Sequence, residues 1–281
     1  MPDSFASRVF LQTLEPSPDS AICVRYSPGS KRRASQLGRF VQQLQQQATS
    51  ALGMHSKLEL LVLQRRDWQQ VVSYPYGLPF VRNHRGSSPF PVSIVAAADY
   101  PGTLLQRWPA IALRASQQGS PAPGDVREFF DLLIGHEWGH AAANVSGLRS
   151  RIKWVDELMA TYLFLAALRE DNPALLQRFI AWAACHVAGS HVQRADLGAF
   201  EYPKGRLRFE DMLWFQGTFS LRAAALLAER GWDFPRDFQA ALEQQSSRQG
   251  KSDHRGNVSR ALLEVEPSFR EWFSIFAVAP S

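Results

Sequence analysis

A run of glycine, proline and small polar residues, SQQGSPAPG at 116–124, divides the sequence into two parts with different patterns. Before this run, short apolar stretches that suit strands are mixed with helical spacing, whereas after it nearly every segment carries apolar residues at helical spacing. Glycine and proline interrupt regular structure, so the run predicts a break between the two parts. We therefore expect an α+β protein, with a small mixed sheet and helices in residues 1–124 and a mostly helical part in residues 125–281.

The first part predicts one long helix and two strands. Residues 31–52 carry apolar side chains at helical spacing, and Gly53 provides a stop signal. The short apolar runs at 58–64 and 91–98 predict strands, and the second is expected at the edge of the sheet because it begins with a proline. Residues 74–91 hold too much proline, glycine and serine for a long regular element.

The second part predicts a series of helices. They are expected near residues 125–145, 154–170, 173–189, 207–230, 235–246 and 259–276. Asp125 follows a Pro-Gly pair and suits the N-cap of the first helix, and Gly147 suits its C-terminal stop. Asn172 followed by Pro173 suits the start of the third, because proline is favoured in a first helical turn.

Two cysteines in 281 residues exclude a zinc site built from four thiolates. A disulfide between Cys23 and Cys185 stays open, but reduced thiols in an intracellular protein are the simpler interpretation. No stretch approaches about 18 uninterrupted apolar residues, and the N-terminal residues contain no apolar segment typical of a secretory signal. We therefore expect a cytoplasmic protein with no membrane partner.

The charge balance is weakly basic, with 31 Lys and Arg against 26 Asp and Glu and a formal net charge of +5. The densest basic run is residues 31–33, and elsewhere the basic residues are interspersed with acidic ones. Interspersed charges are typical of a solvated surface, whereas nucleic-acid binding calls for a concentrated basic patch. We therefore expect no nucleic-acid partner.

Residues 136–140 read HEWGH, an HExxH pattern, inside the predicted helix 125–145. Side chains four residues apart share one face of a helix, so His136 and His140 can bind the same metal ion. Glu137 follows the first of them, where its carboxylate can accept a proton from a metal-bound water. The metzincin extension of this pattern requires glycine at 143 and histidine at 146, and the alanine and serine found there exclude it.

A catalytic zinc site needs a third protein ligand, and the next predicted helix supplies a candidate. Its segment WVDELMATY, residues 154–162, places Glu157 in the early turns. An acidic side chain near a helix N-terminus is also stabilised by the helix dipole, so Asp156 and Glu157 have a purely structural interpretation as well. The HExxH pattern on the preceding helix favours Glu157 as a ligand over that interpretation.

Together these residues resemble the gluzincin zinc metallopeptidases, in which a glutamate on the helix after HExxH completes the zinc site. The segment WVDELMATY is similar to the third-ligand segment of the M1-like aminopeptidases. The resemblance implies a compact zincin-like fold with an active-site cleft between the two parts of the chain. It also implies one Zn²⁺ ion bound by His136, His140 and Glu157, with Glu137 as the general base. The implied activity is that of a hydrolase, a protease that cleaves a peptide or protein substrate with zinc-activated water.

The resemblance covers residues 129–162, and the chain departs from the family's patterns in three places. Residues 141–156, which separate His140 from Glu157, are slightly fewer than in the M1-like enzymes. The GxMEN-type substrate-binding motif of the M1-like enzymes is missing, and Thr161 stands where thermolysin-like members carry an aspartate. The choice between endopeptidase and aminopeptidase is therefore left open. A non-catalytic zinc-binding or regulatory module on the same fold is the alternative function, and a basic nucleic-acid-binding protein with an accidental HExxH is a further one.

Further site residues are expected outside this segment. An oxyanion-stabilising donor is expected because the resembling families use a downstream tyrosine or histidine. Tyr202, in the turn-like segment FEYPKGR, is the preferred catalytic candidate, with His186 and His191 as alternatives. Each of the three also has a structural interpretation as a packing or surface residue. Gln216 and Arg222, on a later predicted helix, could face the cleft, although a surface position is favoured. The strand predicted at residues 91–98, which is expected at the edge of the sheet, could hold an extended peptide by main-chain pairing. It could also be an ordinary core strand.

Overall fold

The computed structural model describes residues 10–11, 13–16, 22–54, 57–84, 90–202, 207–249 and 254–276. It is a mixed α+β structure, mainly helical with one five-stranded sheet. The strands are β1 (Glu15–Pro16), β2 (Cys23–Tyr26), β3 (Leu58–Leu63), β4 (Phe80–Asn83) and β5 (Val92–Ala97). The helices are α1 (Lys31–Leu52), α2 (Arg65–Val71), α3 (Gly102–Leu105), α4 (Trp108–Gln117), α5 (Val126–Val145), α6 (Lys153–Asp171), α7 (Pro173–Gly189), α8 (Leu197–Glu201), α9 (Phe209–Arg230), α10 (Asp233–Gln249), α11 (His254–Val265) and α12 (Phe269–Trp272), followed by a 3₁₀ helix (Phe273–Phe276). None of the helices in these ranges is long and apolar enough to span a membrane.

The chain forms two compact units. The first, the sheet unit, comprises Met1–Pro109 and Gly124–Val145, and the second, the helical unit, comprises Ala110–Pro123 and Ser146–Ser281. Helix α5, which carries the HExxH pattern, therefore belongs to the sheet unit, whereas the predicted boundary at residue 124 assigned it to the helical part. The physical reason is that α5 packs on α1, β4 and β5, contacts that a linear division of the sequence does not include.

The sheet has the order β1-β2-β3-β5-β4, in which β2, β3 and β5 are parallel and the outer strands are antiparallel to their neighbours. All residues of β3 and β5 are buried, as expected for strands that are covered on both faces. The prediction that β5 forms the edge is wrong, because β4 pairs with it on the side away from β3. Pro91 precedes the first residue of β5, so it removes no hydrogen bond from the interior of the strand.

Apolar packing covers the sheet and fixes the helices of this unit. Leu61, Leu63 and Val95 form a buried cluster with Trp68 of α2. Helix α1 packs against β2 and β3. It begins and ends where the sequence predicts, because Gly53 adopts a left-handed φ of 64° and its N–H binds the carbonyl oxygen of Thr49.

The helical unit contains α6, α7 and α9, which pack on one another. The close packing of α9 on α7 depends on Gly217, where a Cβ atom would lie 2.8 Å from the carbonyl oxygen of Ala183. The prediction of one helix over 259–276 is wrong, since the chain there forms the end of α11, then α12 and the 3₁₀ helix. Pro267 explains the interruption, because proline disfavours helical geometry in the residue before it.

Candidate metal centre

The histidine-bearing helix α5 begins and ends as the sequence predicts. The carboxylate of Asp125 accepts a hydrogen bond of 3.0 Å from the N–H of Arg127, which caps the first turn. This hydrogen bond holds the pKa of Asp125 below its usual value. The helix ends at Val145, and Gly147 follows with a left-handed φ of 74°.

A half-buried polar cluster holds α5 within the sheet unit. Oδ2 of Asp131 lies 2.8 Å from Nη1 of Arg33 on α1, and Oδ1 accepts a hydrogen bond of 2.6 Å from the Tyr100 hydroxyl. Burial, together with the charge of Asp131, raises the pKa of Tyr100, so the hydroxyl keeps its proton. Further along α5, Nε1 of Trp138 donates a hydrogen bond of 3.2 Å to Oε1 of Gln45 on α1. These contacts fix α5 against α1 before and within the HExxH pattern.

His136 and His140 lie one turn apart on α5. Their ring centroids are 4.7 Å apart, and the ring planes are nearly perpendicular, at 85°. His136 is buried, with 5% of its surface exposed, whereas Glu137 and His140 are half-buried. The structure thus confirms that the HExxH pattern is helical and brings its two imidazoles together.

Asp156 holds the loop that precedes α6. Its Oδ1 accepts hydrogen bonds of 2.7 Å from both the N–H and the hydroxyl group of Ser150. Next to Ser150, Arg151 adopts a φ of 60°, a left-handed conformation that is uncommon for residues other than glycine. Of the two adjacent acidic residues at the start of α6, Asp156 therefore has a structural role in the loop.

Glu157 has a different contact within the helical unit. The side-chain amide of Gln216 on α9 donates a hydrogen bond of 2.6 Å from Nε2 to Oε2 of Glu157. Both side chains are half-buried, and α9 packs directly on α6. The sequence favours a surface position for Gln216, and this prediction is wrong. The side chain is half-buried and contacts the predicted third ligand.

The predicted ligands form a group that could hold a metal ion. His136, His140 and Glu157 each offer one ligand atom, and these three atoms lie within 4.8 Å of one another. Two imidazole nitrogens and one carboxylate oxygen are a donor set of catalytic zinc sites, in which three protein ligands leave one position open. The chemistry of these residues therefore fits a zinc ion. In the described part of the chain, no other group of three such residues has this spacing.

The candidates for an oxyanion donor lie in the helical unit. Tyr202 follows α8 and is 61% exposed, with the Arg255 guanidinium carbon 4.7 Å from its ring centroid. Residues 203–206 of the same segment lie outside the described ranges. His191 is exposed. His186 is buried within α7, and this burial lowers its pKa to about 3. A catalytic role for any of the three stays a prediction.

Sequence reasoning did not identify the polar contacts that hold the two ligand helices, because it did not consider Asp131 and favoured a surface position for Gln216. In the sequence Asp131 is one of several charged residues of α5, and only the fold shows that it pairs with Arg33, 98 residues away. For Gln216 a signal existed, because it lies within the mostly apolar run LWFQGTF, whose Phe215, Gly217 and Phe219 are buried. Arg222, the other residue considered there, stacks on Phe269 at 4.6 Å.

Comparison of the chain with protein-family models, with curated proteins and with solved structures finds no match. The resemblance to the gluzincins therefore depends on the residues of α5 and α6 themselves. Those residues, and the contacts that hold them, are the basis for assigning a function.

Proposed function

We propose that this chain is a zinc-dependent metallohydrolase, a peptidase of gluzincin type, whose metal ion is bound by His136, His140 and Glu157. The observation that carries the proposal is the spacing of their three ligand atoms, within 4.8 Å of one another. The group therefore includes both histidines of the HExxH pattern and the glutamate that the sequence pattern favours as the third ligand. Three ligands of this kind suit hydrolysis because they leave room for water or substrate on the metal.

Glu137 is the general base in this proposal. When bound, the zinc ion would polarise the scissile carbonyl group and lower the pKa of the attacking water. The carboxylate of Glu137 accepts a proton from that water and returns it to the nitrogen of the leaving amine. Glu137 is half-buried and directly follows His136 on α5.

Gln216 has a positioning role toward Glu157. A carboxylate has two oxygens, so Glu157 can accept the amide N–H of Gln216 at Oε2 and still offer a lone pair to the metal. Because the amide is neutral, it orients the carboxylate without competing with the metal for its charge, as a lysine or arginine would. Hydrogen bonds of this kind to ligating side chains raise metal affinity.

The strand that would bind an extended peptide is β4. Main-chain pairing with a substrate requires a strand at the end of the sheet, and β5 is paired on both sides. β1 and β4 are the two terminal strands of the described sheet, and β4 is the one that packs against α5, the helix of the two histidines. The predicted role of β5 in holding a peptide is therefore transferred to β4.

Peptidase activity of the wild type and of Glu137→Gln tests the proposal. We expect wild type to cleave members of a mixed peptide library, read out by mass spectrometry. Glu137→Gln should keep its zinc and lose about 10²–10⁴-fold in rate, the usual contribution of a general base. Glu170→Gln, a matched change at an exposed position of α6, should leave the rate unchanged. Equal cleavage by wild type and Glu137→Gln, both with zinc bound, would contradict the peptidase and favour the non-catalytic zinc-binding module.

A further inference from the structure

A cavity in the sheet unit lies at the carboxyl ends of the parallel strands. It has a volume of about 680 Å³, and part of its wall is formed by residues that follow β2, β3 and β5 in the chain. The rest of the wall comes from the first two turns of α1 and the first turn of α2. In α/β sheets, ligands bind in crevices outside the carboxyl ends of the strands, because the loops there converge. A volume of this size suits a small molecule.

The wall of this cavity is strongly basic. It contains four arginines, Arg32 and Arg33 from α1 and Arg65 and Arg66 from α2. Arg33 is neutralised by its ion pair with Asp131. The side chains of the other three are exposed, and no side-chain hydrogen bond or ion pair joins them to any residue that the structure describes.

The charge of the wall matches a dianion. Against the three unpaired guanidinium groups stands one acidic lining residue, Asp99, whose carboxylate accepts a hydrogen bond from the Tyr76 hydroxyl. Three positive charges and one negative charge leave a net charge of +2. A phosphate monoester carries a charge of about −1.5 to −2 at neutral pH, and its oxygens match the planar fork of arginine. A single carboxylate would neutralise only half of this charge.

An aromatic cavity adjoins the basic one. It has a volume of about 720 Å³ and shares Arg65 and Asp99 with its neighbour. Its wall includes Tyr74 and Tyr76, and the Tyr74 side chain is 67% exposed, an unusual position for a large aromatic ring. An exposed ring beside unpaired arginines suits a ligand that has a phosphate at one end and a ring at the other.

We propose that the two cavities form one binding site for a small phosphate monoester that carries a ring, with its phosphate among Arg32, Arg65 and Arg66 and its ring against Tyr74. This site is independent of the proposed metal centre, since none of the metal ligands lines either cavity. The basic run 31–33 therefore has a function that its position in the sequence did not indicate.

Isothermal titration of the full chain with phenyl phosphate and with inorganic phosphate tests the proposal. We expect one phenyl phosphate per chain, bound more tightly than inorganic phosphate. Arg65→Ala should weaken both ligands by roughly tenfold, the usual effect of losing a charge-assisted hydrogen bond. Tyr74→Ala should weaken phenyl phosphate alone. Arg39→Ala, an equal change of charge at an exposed position of α1 outside the cavity, should change neither.

Four results would overturn the proposal. The first is the absence of saturable binding of phenyl phosphate to the wild type. The second is an equal loss in Arg39→Ala and Arg65→Ala, which would indicate unspecific attraction to a basic surface. The third is loss of binding in His140→Ala, which would place the phosphate at the metal centre instead. The fourth is tighter, arginine-dependent binding of a single-stranded oligonucleotide, which would identify nucleic acid as the occupant.

Discussion

The two helices that carry the proposed metal ligands are held by different forces, each within its own unit. Helix α5 is fixed by charge, through the pair between Asp131 and Arg33, whose side chains are 25% and 17% exposed. Helix α6 is fixed mainly by burial of thirteen of its 19 residues, all apolar except Thr161, and its ligand carboxylate accepts a hydrogen bond from the amide of Gln216. The histidine pair therefore depends on a contact that also stabilises the fold, whereas the orientation of Glu157 can be altered with little effect on stability.

The largest effect is expected from Asp131→Ala. The guanidinium group of Arg33 would remain partly buried without its carboxylate, and Tyr100 would lose its acceptor. Urea denaturation should show the free energy of unfolding lowered by about 2–4 kcal/mol. The matched control is Asp233→Ala, which breaks an exposed pair with Arg236 at 3.0 Å and should cost less than about 1 kcal/mol. Equal small losses in both variants would mean that charge does not anchor α5.

Gln216→Met should separate metal affinity from stability. Methionine keeps the length of glutamine and removes the donor to Glu157. The dissociation constant for zinc, measured by competition with a chelator, should rise by about 10–100-fold, because the ligand carboxylate loses its orienting partner. The free energy of unfolding of the zinc-free protein should stay close to that of wild type. Gln239→Met, which breaks an exposed hydrogen bond of 3.3 Å to Glu243, is the control and should change neither quantity.

The pH dependence of stability tests the apolar character of the helical unit. Burial lowers the pKa of His186 to about 3 in the folded protein, below the ordinary value of 6.5. As the pH falls below about 6.5, the unfolded chain therefore binds a proton before the folded chain does, and stability falls toward pH 3. Wild type should lose free energy of unfolding between pH 7 and pH 5, and replacement of His186 by leucine should make this loss smaller by about 1–2 kcal/mol. An unchanged pH profile in His186→Leu would show that this imidazole titrates freely.

The smallest effect is expected at the start of α7, next to α6 in the chain. The side chain of Asn172 accepts a hydrogen bond of 3.0 Å from the N–H of Leu175 and caps the helix. Asn172→Ala should lower the free energy of unfolding, measured by urea denaturation, by about 1 kcal/mol. Asn172→Gly should lower it by only a few tenths of a kcal/mol, because glycine tolerates the cap conformation. Zinc affinity should be the same in both variants. A loss of zinc affinity would show that the cap of α7 is coupled to the proposed metal centre through α6.

Local signals predicted the boundaries of the long helices α1, α5, α6, α7 and α9. Helix α1 follows from its apolar spacing and from Gly53, whose left-handed φ of 64° ends it. Helix α7 follows from Asn172 and Pro173, which together cap and start it. The HExxH pair required only the helical period. In each case the residues that decide the structure are neighbours in sequence.

Features that depend on distant residues could not be predicted. The edge of the sheet was assigned wrongly because β4 comes from a segment rich in proline and glycine, and its pairing decides that β5 is internal. The contact between Gln216 and Glu157 joins residues 59 positions apart, and α5 joins the sheet unit through packing on α1 and β5. Such contacts depend on how helices and strands pack together, and no spacing of residues within a single sequence predicts them.

Zinc content of the purified chain tests the central claim most directly. Wild type dialysed against metal-free buffer should retain one zinc ion per chain, measured by atomic absorption. His140→Ala and Glu157→Ala, each of which removes one of the three grouped ligands, should retain little or none while keeping the circular dichroism of the wild type. A wild type without stoichiometric zinc, or variants that bind as much zinc as the wild type, would contradict the account.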